Sequence, residues 1–551
     1  MSDVESRGFN PVEFVRNAGR NSPWVVMAVA LHLIIGALGL IFYAAKDEGP
    51  KNDDGVTVTM SKPKEKVEDP VIPPEVIDRK AIPKNEEAEL VTFEEDVYVP
   101  TSEQPEDLHL DRGDPNSMDN APPGSTGGTA IGVGNSGHAG SRPSAFSSRR
   151  LGGGGRPGRA GGPTQGTEKA VLDGLRWLVR HQNEDGSWSP TTLNERCPCD
   201  DPMYNPKQAY TKNFDEGLTG MALLCFLGAG FSHESKQDIV DTVQAKRHKI
   251  GDVIKRGLQW LTKKQSQDGS FSTGRPFMYN EALACMAVTE AYGLTQNRFW
   301  KEPAQRSIKF IQGAQRPNPS GQGLWGWRYA SRQEIEQFSR GGSVDESLKK
   351  ELFDSDTSVT GWCVMALKSG VLSGLEVSKE NLDGGVAFAK WVTADNGMVG
   401  YIDPKGAGAT VTGPGDHYQY HPAVMSSLGM CIRIFSEHNP DDPFLDLAAK
   451  QVVKDLPTIS KDKLSIDYYY WYCGSLALSQ LEGPGAQKKG SKYSGPWKKA
   501  LTDALLGLQD QAAGKCTHGG WMVPDRWTYD GGPIYTTAIN VLTLETTLDR
   551  H

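Results

Sequence analysis

Acidic and aromatic side chains stand at the start of several apolar segments in the second half of this 551-residue chain. These segments are apolar or small on nearly every face, which is typical of buried helices. The residues at or near their starts are Glu216, Glu281, Asp354, Asp356, His421, Asp467 and Tyr535. A carboxylate in that position can cap free backbone N–H groups. Several such side chains around one cavity would instead form a binding or catalytic site.

Three cysteines and a histidine have the chemistry of a metal site or a cross-link. Cys197 and Cys199 follow one predicted surface helix, and Cys516 and His518 follow another, far later in the chain. Three thiolates and an imidazole suit tetrahedral zinc. A disulfide between Cys516 and one of the other two is the alternative in an oxidising compartment. A third interpretation is three unrelated loop cysteines, because C-x-C is a less usual zinc spacing than C-x-x-C.

A sequence repeat predicts the helices that would position both groups of candidate residues. Residues 168–188 and 251–271 both contain a helical pattern, then Gln, then Asp-Gly, then an aromatic residue. In the first copy Val171, Leu175 and Leu178 recur at i, i+4 and i+7, which is one face of a helix. The Asp-Gly pair ends each helix because glycine adopts positive φ without a steric penalty.

Six amphipathic segments alternate with the six buried ones, although the fourth and fifth copies match the repeat least well. The amphipathic segments lie near 168–182, 250–266, 303–316, 380–394, 444–455 and 497–510, and the buried ones near 216–230, 280–294, 356–370, 421–435, 467–481 and 535–548. Six such hairpins predict an all-α (α/α)6 toroid over residues 167–551, with an open solenoid as the alternative. In a toroid the starts of all inner helices share one rim, and the first and sixth hairpins are neighbours.

The order of outer helix, Gln, Asp-Gly and aromatic residue resembles the repeat of the prenyltransferase and squalene-oxidase superfamily, over roughly residues 166–551. The superfamily includes squalene-hopene cyclases, in which an acid of a DxDD motif protonates an alkene inside an aromatic cavity. The resemblance therefore assigns the acid to Asp356 or Asp354 and implies an isomerase of the terpene cyclase type. The ligand would be surrounded by the rim residues Glu216, Glu281, His421, Asp467 and Tyr535, with Trp362, Tyr470 and Trp471 as further aromatic candidates. Aromatic residues on a buried helix, however, often serve only as core.

This chain departs from both branches of that superfamily. Thr357 stands where the last Asp of DxDD is expected, and in another register Ser358 takes the place of the acid. Protein prenyltransferases bind zinc through an Asp-x-Cys pair and a His. This chain lacks the Cys and has Tyr470 where the His would be, so prenyl transfer is not implied. Two functions remain open: a cyclase that protonates an isoprenoid, and a non-catalytic envelope toroid that binds a lipid, glycan or protein.

The beginning of the chain predicts a single membrane anchor. Residues 1–23 form a short polar tail, and residues 24–45 form an apolar run long enough to cross a bilayer as one helix. Arg16 and Arg20 precede the run, whereas acidic residues follow it closely. This bias predicts a single-pass membrane protein whose repeats lie on the non-cytoplasmic side.

Two linkers are predicted between the anchor and the repeats. Residues 46–122 are acidic and rich in proline, and residues 123–166 are rich in glycine and arginine. Both compositions are typical of disordered segments, and the first could bind an envelope protein. The net charge of -9 gives no reason to expect nucleic-acid binding. The predicted partners are therefore the bilayer, an isoprenoid or other lipid, and an envelope protein, with structural zinc as the one candidate cofactor.

The anchor can be tested by its topology. Protease added to intact spheroplasts should remove the repeats and leave a membrane-bound fragment, because the positive residues before the anchor would hold its start in the cytoplasm. Immunoblotting with tags at both ends measures this. Complete protection of the repeats, with cleavage after lysis, would contradict the predicted orientation.

Overall fold

The computed structural model describes residues 165–193, 214–272, 276–333, 335–336, 354–404, 415, 417–437, 439, 442–486 and 492–547. The predicted tail, membrane helix and first linker lie outside these residues, as do Cys197 and Cys199. The second predicted linker, 123–166, lies outside them up to residue 164, and its last two residues begin the first helix. In the part of the chain that is described, no helix is both long and apolar enough to cross a membrane.

The described residues contain twelve α-helices and one β-hairpin. In chain order these are α1 (Gln165–Arg180), α2 (Asp215–Gly228), β1 (Asp238–Asp241), β2 (Lys246–Lys249), α3 (Ile250–Lys264), α4 (Met278–Thr295), α5 (Arg298–Gly313), α6 (Thr357–Leu372), α7 (Lys379–Trp391), α8 (Ala423–Glu437), α9 (Pro443–Val452), α10 (Tyr468–Ala486), α11 (Ser494–Leu508) and α12 (Thr528–Thr547).

The helices form two concentric rings. Even-numbered helices are inner, and each packs against the next, from α2 to α12, with α12 returning to pack on α2. Odd-numbered helices lie outside them and expose one face. The inner helices are buried from solvent. One residue from each, none more than 3% exposed, illustrates this: Leu224, Val288, Met365, Met430, Leu476 and Val541. The predicted closed α/α toroid is confirmed, and the open solenoid is wrong.

A repeated Gln joins one outer helix to the next at four of the six junctions among the described residues. The Gln182 amide donates to the carbonyl of Gly186 in its own turn and to that of Val253 at the start of α3, both at 2.9 Å. Gln265 and Gln315 make the same pair of bonds one and two hairpins later. We name this arrangement the Gln bridge. It satisfies carbonyls that helix ends would otherwise leave without partners.

The Asp-Gly turn and the aromatic residue after it complete each unit. Gly186 has a φ of 97°, and a Cβ there would collide with the backbone of Arg256 on the next outer helix. Trp188 is fully buried and donates from Nε1 to the carbonyl of Leu178, so it packs back on the helix it follows. Its backbone N–H donates to Thr219 on the inner helix at 3.0 Å. Outer and inner rings are thereby held in register.

The same contacts close the ring between the last hairpin and the first. Gln509, at the end of α11, donates to its own turn at Gly519 and to the carbonyl of Ala170 in α1, both at 2.8 Å. Arg180 at the end of α1 donates to the carbonyl of Cys516 at 2.8 Å and pairs with the buried Asp241 at 3.0 Å. The seam is therefore built from hydrogen bonds of the ordinary repeat plus those that Arg180 donates to the turn after α11, while the buried ion pair with Asp241 joins α1 to the β-hairpin.

Two local features differ from the sequence prediction. The antiparallel hairpin of β1 and β2 was not predicted, because its residues are mostly charged and give little apolar alternation. Helix α12 begins seven residues earlier than the predicted inner segment at 535–548, with a break at Gly532 (φ 57°, ψ -159°). Pro533 follows the break and starts the long part of the helix, which agrees with the predicted start.

Replacing Gln509 with Leu should destabilise the toroid by about 1–3 kcal/mol, because the buried carbonyls of Ala170 and Gly519 lose their donor. Urea unfolding of wild type and variant measures the difference. Gln451→Leu is the control, since Gln451 donates to the carbonyl of Asn396 on the surface; there we expect a change within about 0.5 kcal/mol. Equal losses in the two variants would show that the bridge does not hold the seam.

Candidate functional site in the central cavity

A cavity of about 520 Å³ lies where the inner helices begin. All six inner helices contribute to its wall, as the predicted shared rim requires. Ten of the 22 residues in the wall are aromatic: Phe214, Phe277, Tyr279, Tyr329, Trp362, Tyr401, Tyr420, Tyr469, Trp527 and Tyr535. Ligand pockets of roughly 300–1,000 Å³ lined mainly by apolar side chains are the usual form of small-molecule sites.

Most of the polar atoms in this wall are already paired with one another. Tyr279 donates to Ser358 at 2.7 Å, and Ser358 shares a hydrogen bond with Tyr469 at 2.5 Å. The Trp362 indole also donates to Tyr469, at 3.0 Å, and its ring stacks on Tyr469. A further bond joins the hydroxyls of Tyr329 and Tyr401. The cavity consequently presents ring faces and edges more than free hydrogen-bonding groups.

Asp467 is one of two carboxylates in the wall, the other being Asp530. Asp467 caps α10 by accepting from the backbone N–H of Tyr470 at 3.0 Å. It is 1% exposed, and burial raises the pKa of its carboxyl to about 6 against the opposing effects of the Tyr470 N–H and Arg526. A buried acid near its pKa beside an apolar cavity can donate a proton.

A second acid, Asp525, lies behind the wall and was missed by the sequence analysis. It accepts from the backbone N–H of Tyr468 at 3.1 Å and from the hydroxyl of Tyr535 at 3.3 Å. Burial, reinforced by the nearby Asp467, raises its pKa to about 7. The signal for it was present, because Asp525 precedes Thr528 at the spacing of a helix cap, and its side chain accepts from that N–H.

Asp356, the acid assigned by the resemblance, is used for capping and ion pairing. Its carboxylate accepts from the N–H of Val359 at 2.8 Å and pairs with Arg328 at 3.2 Å. It is fully buried, which raises its pKa to about 6, while Arg328 opposes that rise. Asp356 is not part of the cavity wall, and neither is the half-buried Asp354, whereas Ser358 is. A catalytic role for Asp356 or Asp354 stays a prediction.

Two other predicted acids also start inner helices outside the cavity wall. Glu281 accepts from the backbone N–H groups of Phe271 at 2.7 Å and Ser272 at 3.1 Å, so it ties the turn before α4 to that helix. Burial raises the pKa of Glu281 to about 7 and also raises that of Glu216. Glu281 therefore holds the preceding turn on α4, and Glu216 is a buried residue in the first turn of α2.

Of the predicted aromatic and histidine residues, Trp362 and Tyr535 line the cavity and three others do not. His421 stacks on Tyr470 with ring centroids 4.6 Å apart, and burial lowers its pKa, so it is neutral at pH 7. Tyr470 points away, donating to the carbonyl of Val452 at 2.5 Å. Trp471 is core. The wall residues that sequence reasoning missed include Phe214, Phe277 and Tyr420, whose shared signal is an aromatic residue one to three positions before a predicted inner segment.

The predicted zinc or disulfide seam involves residues that the structure describes only in part. Cys516 is buried beside the first hairpin, with its Sγ 3.6 Å from Nε2 of His181. The carbonyl of His518 accepts from Arg180 at 3.2 Å. Among the described residues no group of three His, Cys, Asp or Glu could hold a metal ion. Because Cys197 and Cys199 lie outside that part of the chain, both linkages stay predictions.

Comparison with known proteins gives a likeness in fold alone. No family model and no curated protein matches the sequence. Among solved structures, a variant of the type II terpene cyclase MstE from Scytonema shares 12% identity, covering 70% of this chain and 98% of its own, with a TM-score of 0.42. The GH76A alpha-1,6-mannanase from Salegentibacter sp. HEL1_6 shares 10% identity over 70% of this chain and 100% of its own, with a TM-score of 0.41. The two have different activities, and the likeness leaves the chemistry of this chain open.

The buried acids predict how stability depends on pH. A carboxyl whose pKa is raised on folding binds its proton more tightly in the folded state, so stability falls as pH rises from about 4 through the folded value. Asp467 and Asp356 (about 6) and Glu281 and Asp525 (about 7) act in the same direction. The free energy of unfolding should therefore fall between about pH 4.5 and about pH 7.5.

Asp467→Asn should reduce that fall by about 3 kcal/mol, because the pKa of Asp467 is raised from 3.8 to about 6 and each unit corresponds to about 1.4 kcal/mol, whereas asparagine also caps a helix but does not titrate. Urea unfolding at several pH values measures the slope. Asp503→Asn, on the exposed surface of α11, is the control and should follow wild type. If the free energy of unfolding of Asp467→Asn depends on pH as it does in wild type, the raised pKa assigned to Asp467 is wrong.

Proposed function

We propose that this toroid binds an isoprenoid chain in its central cavity and protonates it with Asp467, as a terpene cyclase-like isomerase. One observation carries the proposal: a cavity of about 520 Å³, with ten aromatic residues in its wall, also has in that wall a buried carboxyl whose pKa is raised to about 6. Aromatic ring faces attract a cation that develops on a hydrocarbon. The carboxyl supplies the proton that generates it.

The polarity of the wall favours a hydrocarbon over a glycan. A sugar would need donors and acceptors for many hydroxyls, but the hydroxyls of Tyr279, Ser358 and Tyr469 already bond to one another. Leaving sugar hydroxyls buried without partners would cost binding energy for each group. A hydrocarbon has no such requirement, and its burial is favourable in proportion to its apolar area.

The proposed reaction needs no further reactant. The Asp467 carboxyl would transfer its proton to a terminal alkene, leaving a carboxylate and a tertiary carbocation. Ring formation consumes π bonds and moves the positive charge along the chain until a proton is lost, so substrate and product are isomers. The Asp467 carboxylate is stabilised at that stage by the N–H of Tyr470 and by Arg526.

Binding without turnover is the second candidate, and Ser358 favours it. Under one alignment of the resemblance, Ser358 occupies the place of the catalytic acid, and it lies in the cavity wall while Asp356 does not. Serine cannot protonate an alkene. If Asp467 does not replace that acid, the same cavity would hold a lipid without converting it.

The proposed location of the ring is the non-cytoplasmic face of a membrane. The support is the apolar run 24–45 with positive residues before it. An anchor would keep the cavity close to the bilayer, where isoprenoids are dissolved. The acidic linker 46–122 would then allow the ring to reach a partner in the envelope.

Isosteric variants of two helix-capping acids test the reaction. The full-length chain is incubated with geranylgeraniol or squalene, and products of unchanged mass are sought by gas chromatography and mass spectrometry. Asp467→Asn should lower turnover by at least about 10²-fold, because general acids contribute roughly 10²–10⁴. Turnover by wild type should also fall as pH rises through about 6, the pKa of Asp467.

Asp356→Asn decides between the two acids, since it also keeps a cap and retains a neighbour for Arg328. Loss of turnover only in Asp467→Asn supports the proposal. Loss only in Asp356→Asn, with unchanged melting, would return the acid to the residue assigned by the resemblance. Binding of both probes without conversion by wild type would favour the non-catalytic alternative.

A further inference from the structure

The first two inner helices lack the side-chain cap that acids provide elsewhere in the ring. In α6 and α10, Asp356 and Asp467 stand directly before the helix and accept from the backbone N–H of its third residue. In α2 and α4 the same position is occupied by Phe214 and Phe277, which make no side-chain cap. The N–H groups of the third residues in α2 and α4 are therefore left without that acceptor.

Those third residues are Gly217 and Asn280, and both line the cavity. The two helices approach closely here, because a Cβ at position 217 would lie 2.6 Å from Oδ1 of Asn280 and 3.1 Å from its Cα. Asn280 is 4% exposed, and its side-chain amide has no hydrogen-bond partner among the described residues. The amide still retains accessible surface, unlike the fully enclosed polar atoms of Tyr420 and Trp527. A ligand in the cavity can therefore reach it.

This part of the wall offers donors and an acceptor at one point. The backbone N–H of Gly217 is a donor, and Oδ1 of Asn280 beside it is an acceptor. Buried polar groups are normally paired, and leaving them unpaired under a hydrocarbon is unfavourable. A hydroxyl both accepts and donates, so one hydroxyl satisfies both kinds of atom.

The charges around this point favour a neutral group over an anion. Asp215 and Glu216 lie in the first turn of α2, Glu281 lies in the first turn of α4, and Asp530 is in the cavity wall. Burial raises the pKa of Glu216 and raises that of Glu281 to about 7, so these sites already resist negative charge. A further anion beside them would be disfavoured by like-charge repulsion.

The polar point and Asp467 lie on opposite sides of the ring. Asn280 is on α4 and Asp467 begins α10, and these helices are three places apart in the closed order of six inner helices. A chain whose polar end lies at Asn280 would extend across the cavity toward Asp467. The acid would then meet the hydrocarbon end of the ligand.

We propose that the ligand is an isoprenoid alcohol whose hydroxyl donates to Oδ1 of Asn280 and accepts from the N–H of Gly217, with its far alkene at Asp467. This inference rests on the proposed function, because it names the substrate class of the same cavity. The hydrocarbon chain lies among the aromatic residues between the two ends.

Four probes with the same chain separate the hydroxyl from the hydrocarbon: geranylgeraniol, its methyl ether, the hydrocarbon without the oxygen, and geranylgeranoic acid. Each is titrated into the purified full-length chain, kept soluble with an amphipathic polymer, and quenching of tryptophan fluorescence gives Kd. The alcohol should bind about fivefold or more tightly than the ether and the hydrocarbon, because neither can donate to Asn280. The acid should bind more weakly than the alcohol at pH 7.5, where it is ionised.

Variants assign that difference to the site. Asn280→Leu has a similar shape without polar atoms, so it should abolish the preference for the alcohol and leave the Kd of the hydrocarbon within about twofold. Asn280→Asp keeps an oxygen acceptor and should retain part of the preference. Asn540→Leu is the matched control, because Asn540 is equally buried in an inner helix but does not line the cavity. It should keep the wild-type preference.

Stability separates a ligand-binding asparagine from a structural one. The melting temperature of ligand-free Asn280→Leu should equal or exceed that of wild type, because a buried amide without a partner has been replaced by an apolar side chain. A lower melting temperature would show that Asn280 serves the fold and would contradict the assignment.

The outcomes separate this inference from the proposed function. If the hydrocarbon binds as tightly as the alcohol and either is converted, the hydroxyl site is wrong and the cyclase proposal stands. If wild type and Asn280→Leu prefer the alcohol equally, the hydroxyl is bound elsewhere and the assignment is also wrong. Tighter binding of the acid than of the alcohol would overturn the neutral headgroup. If no probe binds, both proposals fail.

Discussion

The Gln bridge is the contact on which the rest of this structure depends. One amide at the end of an outer helix reaches two backbone carbonyls, one in its own turn and one at the start of the next outer helix. Each bridge thereby fixes how far a hairpin is displaced from its neighbour. Four of the six junctions among the described residues have this bridge, including the one that Gln509 makes to Ala170 across the seam, and the displacement that it fixes leaves a cavity where the inner helices begin.

That cavity remains apolar because its polar groups are arranged in pairs. Tyrosines occupy much of the wall, yet their hydroxyls bond to Ser358, to each other or to Asp525. Phenols whose hydroxyls are paired in this way present their ring faces to the cavity and leave few free hydroxyl groups for water to bind. Tyr420 is the exception among these tyrosines, because its buried hydroxyl has no hydrogen-bond partner among the described residues.

The sequence predicts the helices and their ring better than it predicts the site. Periodicity and the Asp-Gly turn depend on local spacing, so the twelve helices could be predicted from them. Closure of the ring depends on contacts between distant hairpins, and the sequence left an open solenoid as the alternative. Side-chain direction depends on neighbours distant in sequence. Asp356 and Asp467 occupy equivalent positions immediately before inner helices, but Arg328 pairs with the first, whereas the second stands in the cavity wall. No spacing rule distinguishes the two.

The cavity wall shows the same division. Phe214, Phe277 and Tyr420 could have been found, because an aromatic residue at the entrance to an inner segment is a local signal. Tyr329 and Tyr401 could not, since they come from the turns that follow outer helices and reach the cavity only through tertiary packing. Asp241 is a further example, because its burial depends on Arg180, which lies in a different hairpin.

The seam has a consequence for the order of the chain itself. Helix α12 packs on α1, and the bond between Gln509 and Ala170 repeats the geometry found between hairpins that are consecutive in sequence. In space the ring has no first or last hairpin. Its hairpin order is therefore cyclic, so a circularly permuted polypeptide, joined at the present seam and opened at another outer turn, would contain the same set of interhelical contacts.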